Sequence, residues 1–197
     1  MKLNLVWLLI SIILVTGCRE ADTPLPKPRA YPKVDFPKKN YEKAEVEDCA
    51  FTFDKPVYSR IVKEEYFFED KTPHPCWFDL SFDAFNGKLH CSYFPIDSRE
   101  GLDSLVTDAF ELVGKHRIKA NYRDEFVIKK ENGVSGIFFD LGGPVATPIQ
   151  FFLTDSTQHF FRGALYFQNK VNPDSMNIIH TFIKEDVNNM IESFAWK

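Results

Sequence analysis

Apolar and polar positions alternate with a period of two through residues 150–167. Ile149, Phe151 and Leu153 fall on one side of a first run, and Gln150, Phe152 and Thr154 on the other. In a second run Phe161, Gly163, Leu165 and Phe167 oppose Phe160, Arg162, Ala164 and Tyr166. A period of two is the mark of extended chain, and the aromatic load on both faces predicts a hairpin deep inside a sheet. Asp155 and Ser156 supply its turn, because short polar side chains bond the backbone ahead of them.

The same reading predicts strands over 49–53, 57–62, 76–82, 88–94, 118–130 and 134–141. Asn86-Gly87 and Asn132-Gly133 predict hairpin turns, and Gly142-Gly143-Pro144 a further reversal. Residues 64–75, charged, aromatic and flanked by proline, read as a loop. The period changes in two places. Leu102, Leu105, Val106, Ala109, Val113 and His116 are spaced by threes and fours, with Asp97 or Ser98 as the cap of that helix. Ile179, Phe182, Ile183, Val187, Met190, Ile191 and Phe194 form the stripe of a second helix, begun by Asn172-Pro173, with Lys184, Glu185, Asn188 and Glu192 facing water. Strands, helix, four strands, helix is the order of an α+β fold: an antiparallel sheet of about six or seven strands with two helices packed on it. By fold-level analogy that order is similar to Mog1/PsbP-like domains.

The N-terminus is built differently. Lys2 precedes an apolar run over 3–15 that is too short to span a bilayer comfortably, and Val15-Thr16-Gly17-Cys18 closes it. A small residue directly before such a cysteine resembles a bacterial lipobox, in which the thiol is lipidated and the chain cut before it. Several acyl chains on Cys18 would anchor the chain to a membrane essentially permanently, each buried methylene contributing about 0.8 kcal/mol. Residues 1–17 therefore read as a lipoprotein signal peptide, 18–40 as the lipidated cysteine and a tether, and 41–197 as one globular domain. Pro24, Pro26, Pro28, Pro32 and Pro37 deny the tether helix and sheet. Its Lys27, Arg29, Lys33, Lys38 and Lys39 suit either anionic headgroups or plain solvation.

Composition narrows the partners. A net charge of −4 argues against nucleic acid. Beyond Cys18 the chain has Cys49, Cys76 and Cys91, and an oxidising envelope permits one disulfide. Cys49 and Cys76 sit at strand or loop edges beside turn residues, whereas Cys91 lies mid-strand like a small buried hydrophobe, so a bridge between Cys49 and Cys76 is expected.

Candidate chemistry is sparse. Asp155, Ser156 and His159 contain the residue types of a catalytic triad, but all lie in one hairpin turn, where such residues belong for conformational reasons. His74, Cys76, His90 and Cys91 can be drawn as zinc ligands, yet neighbours in a strand point to opposite faces and would not converge. No catalytic residue, metal or cofactor is expected. Glu42, Glu45, Glu47 and Asp48 lack calcium-loop spacing and read as a solvated leading strand. Arg162 shares its face with Phe160 and Tyr166, a set suited to contacting a ligand or partner, although pairing with an acid such as Asp140 or Asp155 is the commoner outcome for such an arginine. An exposed aromatic patch on that polar face would suit protein docking.

The lipobox and Pro-rich lead, Cys49-x-Phe51-x-Phe53 with Pro56-Val57-Tyr58, and Pro75-Cys76-Trp77 are the first marks of a known pattern. The run from Gln150 to Phe160, Arg162-Gly163-Ala164-Leu165-Tyr166-Phe167 and the closing Glu192 and Trp196-Lys197 complete it. On these the chain resembles the GldD family of gliding motility lipoproteins of the Bacteroidota. The resemblance implies an envelope protein associated with gliding and the coupled type IX secretion machinery, with other envelope proteins as partners and no assigned catalytic residues. From that follows the expected function: a non-enzymatic assembly or stabilising component, membrane-anchored by lipid and facing the periplasm. The alternatives are a small-ligand or cell-wall-binding lipoprotein and an envelope hydrolase.

Overall fold

A computed structural model describes residues 33–63, 66–67, 70–71, 74–117, 119–168 and 173–197. The compact unit is Val34–Lys197. The expected signal peptide, Cys18 and most of the tether lie outside the described residues.

The elements in chain order are β1 (Tyr41–Glu45), β2 (Phe51–Pro56), β3 (Arg60–Lys63), β4 (Tyr66–Phe67), β5 (Asp70–Lys71), β6 (Phe78–Phe82), β7 (Gly87–Pro95), α1 (Arg99–Arg117), β8 (Tyr122–Lys129), β9 (Ser135–Gly142), β10 (Ile149–Thr154), β11 (His159–Phe167), α2 (Pro173–Ser193) and β12 (Ala195–Trp196). Seven strands form an antiparallel sheet in the order β3-β6-β7-β11-β10-β9-β8, so the aromatic hairpin β10–β11 lies inside it. A separate three-stranded sheet has the order β1-β2-β12. The fold is α+β, with two helices and this second small sheet.

Strand parity divides the core in two. Phe151, Leu153, Phe161 and Leu165 point to one side, where they meet Phe51, Phe53 and the apolar stripe of α2. Phe152 and Phe160 point to the other, against Ala109 and Val113 of α1, with Phe139 and Leu141. The helices thus cover opposite faces, and Phe152 and Phe160, on the face where an exposed aromatic patch would suit docking, are buried beneath α1. Phe51 is the hub of the larger core: its ring lies 4.9 Å from Phe161 and 5.5 Å from Phe194. Gly163 is required by packing, since a Cβ there would stand 2.3 Å from the Phe151 ring.

Local chemistry sets the boundaries. Ser98 is the residue that caps α1, its Oγ accepting the Gly101 N–H at 3.1 Å. At Asn86-Gly87 the expected two-residue turn is replaced by a 3₁₀ turn over Asp83–Phe85, and the left-handed residue is Asn86, at φ 48°. Gly87 is already in β7, where a Cβ would press on Phe167 at 3.2 Å. The first strand after α1 begins only at Tyr122. Within the stretch read as a loop, Tyr66–Phe67 pairs with Asp70–Lys71.

The globular part also starts earlier than residue 41. Val34 and Phe36 pack against the core, and Lys39 places its ammonium 3.5 Å over the Phe182 ring, bonding the Phe182 carbonyl at 2.6 Å. Lys39 is therefore held by α2 rather than free for headgroups.

The C-terminus of α2 has no basic residue in its last turn. Lys130, from the β8–β9 turn, supplies the missing cation. Its Nζ donates to the carbonyls of Ile191, Glu192 and Phe194 at 3.0, 2.6 and 2.7 Å. Three donors thus meet three carbonyls left over by the helix end. Burial lowers the Lys130 pKa, against the pull of Glu192. Lys130→Met is expected to lower stability by about 2 kcal/mol, the worth of charged hydrogen bonds. Urea denaturation measures it, and a loss as small as that of an exposed lysine would contradict the capping role.

Candidate functional site

The half of the large sheet not covered by α1 carries the polar residues of its inner strands. Antiparallel register lays them in rows. Asp79 of β6 faces His90 of β7, which faces Ala164 of β11 and then Gln150 of β10. Lys88 faces Tyr166, and Ser92 faces Arg162. Asp79 is 1% exposed, yet bonds Lys88 Nζ at 3.1 Å and the Nδ1 of His90. Burial works to raise the Asp79 pKa, but His90 and Lys88 together outweigh it and hold the carboxyl below its usual value. An ionised Asp79 is an acceptor, so His90 Nδ1 carries the proton and donates it. The His90 ring meets Tyr166 edge-on at 4.9 Å.

Arg162 closes this surface beside α1. Its Nη2 donates to Gln150 Oε1 at 3.2 Å, and Gln150 Nε2 donates in turn to Thr147 Oγ1 at 3.2 Å. Burial lowers the Arg162 pKa, with Tyr166 and Asp108 working against it. Neither expected acid reaches it. Asp140 points to the other side of the sheet, where it pairs with Lys184 of α2, with His180 Nε2 at 3.4 Å. Asp155 is occupied by the turn. Arg162, a guanidinium that stays charged in proteins, is thus bonded to a neutral amide, with no carboxylate in ion-pair range among the described residues. Tyr166 is half-buried beside it, but Phe160 is not part of this surface: it is 1% exposed and stacked on Phe152 at 5.3 Å.

The turn residues each have a conformational task. Asp155 Oδ1 accepts the N–H groups of Thr157, Gln158 and His159, all at 2.9 Å. Burial alone would raise its pKa, and those three bonds bring it below the usual value. Ser156 takes φ 65°, its N–H bonded to Thr154 Oγ1. His159 Nδ1 bonds the Tyr93 hydroxyl at 2.7 Å, and its ring stacks on Trp196. Acid and imidazole are thus bound to other groups, not to the serine.

The four drawn metal ligands part company. Cys76 is joined to Cys49, with their Cα atoms 5.7 Å apart. His90 is bound to Asp79. Cys91 lies in the opposite core as a free, buried thiol, its pKa raised by burial and further by Asp79. His74 accepts the Cys76 N–H at its Nδ1.

The Asp79–His90 pair is the arrangement that sequence reading missed. An imidazole oriented by a buried carboxylate has the form of a general base. Among the described residues, however, no hydroxyl or thiol bonds His90. Its signal was present in the chain, because Asp79 and His90 are as symmetric about the β6–β7 turn as the closing pair Phe82 and Gly87.

No helix among the described residues is long and apolar enough to cross a membrane. Among curated proteins none matches the chain significantly. The chain is similar to the solution structure of cyanobacterial PsbP (CyanoP) from Synechocystis sp. PCC 6803, at 11% identity over 82% of this chain and 95% of that one, with a TM-score of 0.45. That likeness concerns the fold alone. The family model for gliding motility lipoprotein GldD matches residues 21–196, so the chain belongs to the GldD family of gliding motility lipoproteins.

Proposed function

We propose that this chain is a non-enzymatic component of the cell envelope, held by lipid on Cys18 and facing the periplasm. There it assembles or stabilises the gliding apparatus and the type IX secretion machinery coupled to it, by docking on other envelope proteins. The observation that carries this reading is the use to which the reactive side chains are put. Asp155 closes a turn, His159 is tied to Tyr93 and Trp196, and His90 is bonded to Asp79, with no hydroxyl or thiol bonded to it among the described residues. Family membership supplies the association with gliding.

Deleting the gene is expected to abolish both surface spreading and secretion of substrate proteins; a deletion strain that still spreads and secretes refutes the proposal. Ser156→Ala, His159→Ala and His90→Ala variants at normal protein levels are expected to complement fully. Failure of His90→Ala to do so would move the chain to the enzyme class.

A second reading rests on Arg162. A desolvated guanidinium bonded, among the described residues, to an amide alone retains capacity for a carboxylate or phosphate. If this surface holds an anionic cell-wall or small-molecule ligand, Arg162→Met loses complementation at normal protein level while Phe160→Leu, inside the core, retains it.

A further inference from the structure

We propose that β8 is a self-pairing edge through which two copies of this chain join, antiparallel, into one continuous sheet. A sheet edge presents unpaired N–H and C=O groups, and folded proteins usually blunt it with short strands, charge or proline. The β3 edge of the large sheet is blunted in that way: it is four residues long and bounded by exposed Arg60 and Lys63. The β8 edge is eight residues long and apolar at its middle, with Phe126 52% and Val127 82% exposed. Among the described residues, three of the five exposed large apolar side chains (Tyr122, Phe126 and Val127) lie on this one strand.

The strand's own charges select the occupant. Two copies related by a two-fold axis perpendicular to the sheet keep the same face upward, so the axis passes midway between the two copies of one residue and each position faces one of equal parity. An axis at Arg123, Asp124, Glu125 or Lys129 sets a charge against itself, and one at Tyr122 leaves the rest of the strand without a strand partner. At Phe126, Arg123 opposes Lys129. At Ile128, Val127 opposes Lys129. Only an axis at Val127 satisfies the strand: Glu125 opposes Lys129, Phe126 opposes Ile128, and Val127 faces Val127. Opposite charges and apolar pairs directly across a ladder stabilise it, and like charges destabilise it. Lys129 is exposed and has no ion pair among the described residues, whereas Glu125 is held 2.7 Å from Arg123 on the same face. On the α2 side, Phe126 and Ile128 line an open groove of about 350 Å³ with Phe138, Lys184 and Ile191. Pairing at Val127 sets the two grooves side by side and covers each Phe126 with the other copy's Ile128.

The test is cysteine crosslinking of the full-length chain in its own envelope. Cys49 and Cys76 are joined and Cys91 is buried, so among the described residues an introduced thiol is the accessible one. Directly opposed positions lie about 4.5–5.5 Å apart at Cα, within disulfide range. Val127→Cys is expected to give a reductant-sensitive dimer, and Asp103→Cys, on the exposed face of α1, is not. Adding Glu125→Lys to Val127→Cys should cut the dimer by about fivefold, and adding Lys129→Glu to that pair should restore it. Equal crosslinking at 127 and 103, or a charge swap that fails to restore the dimer, overturns the proposal. The readout is self-association, so it stands or falls independently of the secretion and motility assays.

Discussion

Asp186→Ala lowers the unfolding free energy by about 3 kcal/mol, the range for removing one partner of a buried ion pair. Asp186 is 1% exposed and receives three donors: Lys39 Nζ at 2.7 Å, Tyr41 OH at 3.0 Å and Tyr58 OH at 2.7 Å. It fastens the residues before β1, β1 itself and the β2–β3 turn to the middle of α2. Alanine leaves an ammonium and two hydroxyls without their acceptor. Lys39 remains 24% exposed, so water takes up part of the bonding its ammonium loses. In a domain of this size the loss corresponds to roughly 10 °C in melting temperature. Asp186→Asn, which keeps one acceptor oxygen, is expected to lose about half as much. Lys39→Met combined with Asp186→Ala should cost less than the sum of the two, since both remove the same interaction. Additive losses in urea denaturation would show that the residues act separately.

The same cluster sets an alkaline limit. Burial, then the hydrogen bond and charge of Asp186, push the Tyr41 pKa from 10.0 up to about 12, and the same causes raise that of Tyr58 further. A folded-state pKa above the unfolded value gives stability that is complete below pH 10 and is lost as the pH rises through about 12. Tyr41→Phe should flatten that decline, and an unchanged slope between those limits would remove Tyr41 as its cause.

Replacing Cys49 and Cys76 together by alanine lowers stability by about 3.5 kcal/mol, the chain-entropy value for a loop of this length. The bridge closes 27 residues, from the β1–β2 corner to the start of β6, and so joins the small sheet to the large one. That segment includes the β4–β5 pair and the edge strand β3, which is only four residues long. Reduction of the native chain should reproduce the loss, and the double variant should be indifferent to reductant. A variant as stable as the oxidised protein would mean that the native contacts of Phe51, Phe53 and Phe78 hold the two sheets together unaided.

The sequence was most readable where structure depends on near neighbours. Period-two runs marked β10 and β11, three-four spacing marked α1 and α2, and Asp97-Ser98 marked a helix start, because each reflects chemistry within a few residues. The Cys49–Cys76 pairing was legible for a related reason: both stand at strand edges beside turns, while Cys91 is in mid-strand. Arg162 shows the limit. Parity alone places it on the side opposite Asp140, once the register across β11, β10 and β9 is known, but that register joins residues far apart in the chain.

The amino-acid order by itself determined the number and kind of the main elements, and the family, since periodicity and motif are written along the chain. Only the tertiary structure decided that α1 and α2 take opposite faces, that β1, β2 and β12 form their own sheet, and that Lys130 caps a helix far along the chain. It alone left β8 at the end of the large sheet with its apolar middle exposed. These features arise from which surfaces are covered, and coverage depends on contacts between distant segments, which no local pattern encodes.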